Sequence, residues 1–363
     1  MKIQHLGLVS FRNISGLRWE PSPGRNIILG DNGQGKTNLL ESIYVILNLK
    51  SMRTQSDFKP LISRGSKFFN IHGVLSDDSE EKTDILLAYD GVSRKLTVNG
   101  NVSSSRDFLR HRAMVYFSPD QATMLADSPD MRRRITDRYI FTLYPEYFDI
   151  LNKFKSMMKK RNTVLKHSGD TNLLNAIDIS FAPVAFRISQ LRKEIISRIT
   201  DDFKNYWSEI KPEMPPMGCS YGGTHHFPES SSAYFEILRK NTVNDIRLGR
   251  TSHGPHVEDI HFSIDGELSK NFLSHGERKI ASFCFNLAFA KLLGNQKKLE
   301  PVVLIDDISS ELDEISLEGA VNSIFDLGFQ TIVTTLDREF IEKWGNNTQN
   351  FRIEQGNVTE IGI

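Results

Sequence analysis

Residues 25–48, RNIILGDNGQGKTNLLESIYVILN, impose the tightest constraint on the fold: a short apolar strand, a glycine-rich turn and an apolar helix follow one another directly. The turn, GDNGQGKT at 30–37, satisfies G-x-x-x-x-G-K-[ST]. Such a turn works only between a strand and a helix, because its N–H groups and the positive end of the helix must converge on one anion. The chain is therefore expected to be α/β, with Gly30, Asp31, Asn32, Gly33, Gln34 and Gly35 cradling the phosphates of a nucleotide. Lys36 is expected to reach the β- and γ-phosphates and Thr37 to ligate Mg²⁺.

A phosphate turn that holds a metal needs a second carboxylate. VVLIDD, 302–307, supplies it: four apolar residues of a buried strand end in Asp306 and Asp307. Asp306 is the expected metal residue. Asp307, next along at the strand end, is placed to orient or deprotonate an attacking water.

The rest of the chain divides by pattern. Short alternating segments at 67–102, with Asp90-Gly91 and Asn99-Gly100 between them, read as antiparallel hairpins. From about 128 to 211 the pattern is helical, with Phe181, Val184, Ile188, Leu191, Ile195 and Ile199 at spacings of three and four. A Pro- and Gly-rich stretch at 211–232 follows, and strand patterns then return. We expect one nucleotide-binding domain from residues 1–127 and 240–363, a mixed sheet with an antiparallel β subdomain, and a helical arm inserted at 128–239.

Forty-five basic and 45 acidic residues cancel, so no global positive field exists and any polyanion must meet a local patch. KFKSMMKKRNTVLK, 153–166, is such a patch, and Lys159, Lys160 and Arg161 are the candidate DNA phosphate contacts; Arg132, Arg133 and Arg134 form a second run. No apolar run approaches the roughly 18 residues of a membrane span, so a cytoplasmic location is expected. Two cysteines without a CxxC pair exclude a disulfide framework, and Cys219 near His225 and His226 fits no zinc spacing.

A further helix opens at LSHGE, 273–277. Ser274 and Glu277 have the spacing of a capping box, while the Ser274 hydroxyl, the Gly276 N–H and the positive helix end also suit an anion; the two roles can coexist. The order GDNGQGKT, large insert, LSHGE, VVLIDD, SSELD resembles the ATP-binding cassette superfamily. That resemblance implies that Ser274 and Gly276 contact the γ-phosphate of ATP held by a second copy in a head-to-tail homodimer, and that Asp313 lies in the loop crossing the dimer interface. It also implies slow hydrolysis, since Thr334 or Thr335 stands where relatives carry a switch histidine.

LVSFRNI, SPDMRRRITD, KRNTVLK, HGPHVEDI, LSHGERK and LIDDISSELD, taken in order, resemble the RecF family of bacterial recombination mediators from end to end. The resemblance implies a weak DNA-dependent ATPase of DNA repair that clamps double-stranded DNA near single-strand gaps and helps RecR and RecO load RecA. An ATP-gated adaptor that recruits RecR is the alternative. Val257, His275 and Glu277 depart from the family pattern. A membrane-transporter ATPase is disfavoured by the N-terminal segment and the helical insert.

Overall fold

The structure, a computed structural model, describes residues 1–54, 56–77, 81–109, 112–119, 128–222, 227–296, 300–310 and 312–362. Gln121, His225 and His226 lie outside the described residues. In chain order the elements are β1 (Lys2–Phe11), β2 (Ile14–Trp19), β3 (Arg25–Leu29), α1 (Lys36–Asn48), β4 (Phe69–Ser76), β5 (Lys82–Tyr89), β6 (Arg94–Val98) and β7 (Asn101–Val102). Then come α2 (Ser105–Leu109), β8 (Met114–Phe117), α3 (Pro129–Leu143), α4 (Tyr147–His167), α5 (Thr171–Ile210), β9 (Gly218–Gly222), α6 (Ser231–Leu248), β10 (Asp259–Ile264) and β11 (Glu267–Leu268). The last are α7 (His275–Gly294), β12 (Val302–Ile305), α8 (Glu314–Asp326), β13 (Thr331–Thr335), α9 (Arg338–Trp344), β14 (Gln349–Glu354) and β15 (Asn357–Glu360).

The chain divides into two compact units, the first from Met1–Thr123, Asn205–Pro215 and Ser274–Ile363, the second from Met124–Lys204 and Pro216–Leu273. The expected boundary at 239/240 is therefore corrected. β10 pairs with β9 from Asp259↔Gly222 to Ser263↔Gly218, which draws 216–273 into the second unit, while 205–215 pack with the first.

In the first unit, the antiparallel sheet has the order β2-β1-β4-β5-β6-β7 and the mixed sheet β15-β14-β3-β13-β12-β8. β14, β3, β13, β12 and β8 run parallel, and β15 closes one edge antiparallel. α1 packs on β1 and β4 of one sheet and on β13 and β8 of the other. Its Leu39, Leu40, Ile43, Ile46 and Leu47 are buried, as the apolar face of a helix between two sheets must be. At the expected Asn99-Gly100 turn, Val98↔Asn101 pair across two residues that both have positive φ, the geometry Asn-Gly favours.

The second unit holds the helical pattern and a three-stranded sheet, β11-β10-β9. α5 buries Phe181, Ile188, Leu191, Ile195 and Ile199, and Phe181 stacks on Phe154 of α4 at 5.3 Å. Among the described residues no helix is long and apolar enough to cross a membrane.

Arg161 corrects a second expectation. Its side chain is fully buried, donating at 2.7 Å to both Asp178 and Asp245 and at 2.9 Å to the Thr251 hydroxyl. It sits on the inward face of α4 with Phe154 and Leu165, whereas Lys153, Lys155, Lys159, Lys160 and Lys166 are exposed on the outward face. A guanidinium so engaged is a structural cation and cannot reach a phosphate. Arg132 is likewise committed, by a two-pronged pair with Asp259 at 2.9 and 2.6 Å, and Arg133 donates to the Glu258 carbonyl. Removing one partner of a buried pair strands the other charge, so Arg161→Met should cost about 3–5 kcal/mol. Lys159→Gln on the same helix should stay within about 0.5 kcal/mol. Urea unfolding followed by circular dichroism compares the two, and equal costs would remove the distinction between the two helix faces.

Candidate nucleotide-binding site

β3 lies between β13 and β14, so its carboxyl end opens where parallel strands usually meet ligands. The turn leaves Leu29 and enters α1 through Gly33 (φ 80°) and Gly35 (φ 115°), left-handed positions that glycine occupies without strain. A side chain at Gly30 would sit 2.7 Å from the Ile353 Cγ2 and carbonyl oxygen, so β14 presses directly on the turn. Behind it the Gln355 N–H donates to the Gln34 side chain at 2.7 Å and the Gly356 N–H to the Gln34 carbonyl at 2.9 Å.

The Lys36 ammonium folds into its own turn, donating to the Gly30 and Asp31 carbonyl oxygens. Burial pushes its pKa below the usual lysine range, partly offset by Asp307, Asp306 and Asp31. An arriving polyphosphate would supply the negative charge that this buried ammonium lacks.

Strand order explains the metal side. β13 separates β3 from β12, and Thr334 near its end bridges the two. The Asp306 carboxylate accepts from the Thr334 hydroxyl at 2.8 Å and from the Thr37 hydroxyl at 3.2 Å. Burial pushes the Asp306 carboxyl above its ordinary range, against the pull of those two hydroxyls. An all-oxygen pair of one hydroxyl and one poorly solvated carboxylate suits a hard cation such as Mg²⁺. Asp307 follows in a left-handed conformation (φ 50°), with its N–H donating to the Thr334 hydroxyl at 3.0 Å. Thr334 thereby holds both aspartates; Thr335 instead contacts Ser309 at 3.0 Å.

Sequence reasoning missed a polar chain around the turn. Asn13 donates to the Gly33 carbonyl at 3.1 Å and accepts from Asn38 at 2.8 Å, and Arg53 donates to Asn38 at 3.0 Å. Arg53 and Arg12 both pair with Glu41, at 3.5 and 2.8 Å, and the Glu41 side chain is fully buried. Arg12 stands in LVSFRNI, but nothing local in the sequence marks a glutamate within the apolar helix α1 as its partner.

Ser274 and Asp313 are placed differently. The capping box is present: the Ser274 hydroxyl accepts from the Glu277 N–H at 3.3 Å, and the Glu277 carboxylate accepts from the Ser274 N–H at 2.7 Å. Glu277 therefore turns to its own helix mouth. Accepting a bond leaves the Ser274 O–H able to donate. Gly276, in the first turn of α7, has open space where a side chain would be. Asp313 caps α8, accepting from the Ser316 N–H and hydroxyl at 2.9 Å each, and pairs with Lys211 at 3.3 Å. Neither Ser274 nor Asp313 bonds to a residue of the phosphate turn.

A phosphate turn on a mixed sheet, its metal-side aspartate two strands away, an antiparallel subdomain and a capped helix opening on LSHGE define an ABC-type P-loop fold. Residues 2–359 match the model of the RecF/RecN/SMC N-terminal domain. The chain belongs to that family, and within it to the RecF branch of the SMC-like ATPases. It is 28% identical over 368 residues to the DNA replication and repair protein RecF of Geobacter sp. (strain M21), covering 99% of this chain and 100% of the relative. The RecF protein of Streptococcus suis (strain 05ZYH33) is 29% identical over 366 residues, with the same coverage. Among solved structures, the recombination mediator protein RecF-ATP in the RecFOR pathway superposes with a TM-score of 0.83 at 25% identity, covering 99% of this chain and 98% of that one.

Asp306 sits where carrying charge is costly without a cation, so Asp306→Asn should stabilise the ligand-free protein by about 1 kcal/mol. An Mg²⁺ held at Asp306 would lose an anionic ligand, so the same change should weaken Mg²⁺-dependent ATP binding at least about 10-fold. Thermal melting with and without Mg²⁺-ATP reads both effects; a destabilised ligand-free variant with intact binding would contradict the assignment.

Proposed function

We propose that this chain is an ATP-dependent DNA-binding protein of recombinational repair, in which ATP and Mg²⁺ bind at the P-loop and bring two copies together head to tail. The observation that carries this reading is the split of the site. Lys36, Thr37, Asp306, Asp307 and Thr334 converge in one molecule, while Ser274 and Gly276 stand at a helix mouth that engages none of them. A helix mouth with a serine hydroxyl and an unobstructed glycine suits the γ-phosphate of a second copy's ATP.

In this reading Lys36 neutralises the β- and γ-phosphates, and Thr37 and Asp306 hold the Mg²⁺. Asp307, fixed through its N–H to Thr334, orients the attacking water and takes its proton. Thr334 donates a hydrogen bond but carries no charge, so hydrolysis is slow and ATP acts mainly as the closing ligand. Closure clamps double-stranded DNA beside single-strand gaps, with RecR, RecO and RecA acting downstream. The exposed face of α4, with Lys153, Lys155, Lys159, Lys160 and Lys166, is the candidate phosphate contact. The absence of an ionisable group at position 334 also favours the adaptor reading, in which recruiting RecR is the essential act and hydrolysis incidental.

Molecular mass in solution, with ATP and Mg²⁺ and with or without duplex DNA, tests the proposal; a monomer under every condition would sink the shared site. Lys36→Met should abolish nucleotide binding. Ser274→Ala should bind ATP yet fail to dimerise, and the comparison must be made well below melting, because losing the cap alone costs about 1 kcal/mol. The double change Lys159→Gln, Lys160→Gln should lower the slope of log affinity against log salt by roughly 0.9 for each DNA phosphate that the protein no longer neutralises. An unchanged slope would remove this face from the DNA path.

A further inference from the structure

Lys211 directly follows α5, and three hydrogen-bonding partners fix its position. Its ammonium lies 2.7 Å from the Glu213 carboxylate, 3.3 Å from that of Asp313 and 3.3 Å from the Ser316 hydroxyl, with only 11% of the side chain exposed. Its backbone N–H donates to the Trp207 carbonyl at 2.8 Å, and the fully buried Trp207 donates its indole N–H to the Pro215 carbonyl at 2.9 Å, locking the turn that carries the lysine. Asp313 and Ser316 are the cap of α8 and the residue it caps, so the lysine grips the N-terminal turn of that helix.

A second contact binds the same two helices. Gly319, on α8, lies so close to the last turn of α5 that a side chain there would sit 3.0 Å from the Ile210 Cα and 3.1 Å from the Glu209 carbonyl. The Ser323 hydroxyl, one turn further, lies 2.7 Å from the Gly319 carbonyl and 3.3 Å from the Glu209 carboxylate. Backbone packed on backbone leaves little slack for the two helices to separate, which leaves Lys211 to register a shift of the α5 end along its own axis. The two 3.3 Å contacts of Lys211 are near the limit of a hydrogen bond, and an axial shift of about 1.5 Å, one residue's rise along a helix, would break them.

α5 is one continuous helix of 40 residues. Residues 171–204 belong to the second unit and 205–210 to the first. We propose that Lys211 is a positioning residue that ties the end of α5 to the Asp313 turn, so that duplex DNA bound by the second unit alters how Asp313 is presented for ATP-driven pairing of two copies. The inference rests on the DNA-binding reading above and adds to it a route from DNA to the ATP site. Asp313 acts here through its place at the head of α8. The Ser316 N–H and hydroxyl, with Lys211, hold its carboxyl below the usual carboxylate range.

Backbone hydrogen exchange on the full chain, with and without a 30-base-pair duplex, tests the coupling. In the wild-type protein, DNA should change exchange in 314–320 by about 3-fold or more, the scale of a local opening equilibrium shifted by a weak contact. Lys211→Met should speed exchange there about 5-fold without DNA, as expected when a partly shielded ion pair is removed. It should also erase the DNA-linked change while DNA affinity holds, and Lys211→Arg should restore the response. DNA binding that leaves 314–320 unaltered in the wild type overturns the coupling and spares the DNA-binding reading, as does a Lys211→Met protein that keeps the response. Absence of any DNA binding overturns both. The wild-type arm decides even if the methionine variant misfolds.

Discussion

A single buried carboxylate organises the candidate site. Asp306 ends β12, accepts from Thr334 on β13 and from Thr37 at the head of α1, and so ties three separate chain segments at one corner of the mixed sheet. Two neutral hydroxyls are poor compensation for a charge taken out of water, which is why this carboxyl titrates above its ordinary range. A divalent cation placed beside it would offset that cost. Lys36 is the complementary case, an ammonium buried against the Gly30 and Asp31 carbonyls whose pKa burial pushes down.

Legibility in the sequence followed the range of the interactions. The strand, turn and helix at 25–48 are contiguous, so pattern and motif were enough to place them, and VVLIDD declared its strand by apolar content. The capping box at Ser274 and Glu277 and the Asn99-Gly100 hairpin were legible for the same reason, since each is settled within four residues.

What the sequence concealed depends on partners far along the chain. Arg161 sits in a run of lysines and reads as one more surface cation, yet a helix turns each residue about 100° from the last, and this one faces inward to Asp178 and Asp245. Only the carboxylates supplied by α5 and α6 distinguish it. Glu41 reads as a charge stranded in an apolar helix until Arg12 and Arg53 come to it from either side. The boundary of the second unit was misplaced because the pairing of β10 with β9 leaves no trace in either strand alone.

The close approach of β14 to the phosphate turn fixes when the site can exist. Gly30 is packed against Ile353, and the Gln34 side chain accepts from an N–H 321 residues further on. β3 itself is flanked on both sides by strands that come far later in the chain, β13 and β14. The motif is made before the strands that wall it. A chain made only as far as α1 therefore carries the phosphate turn without the strands that shape it.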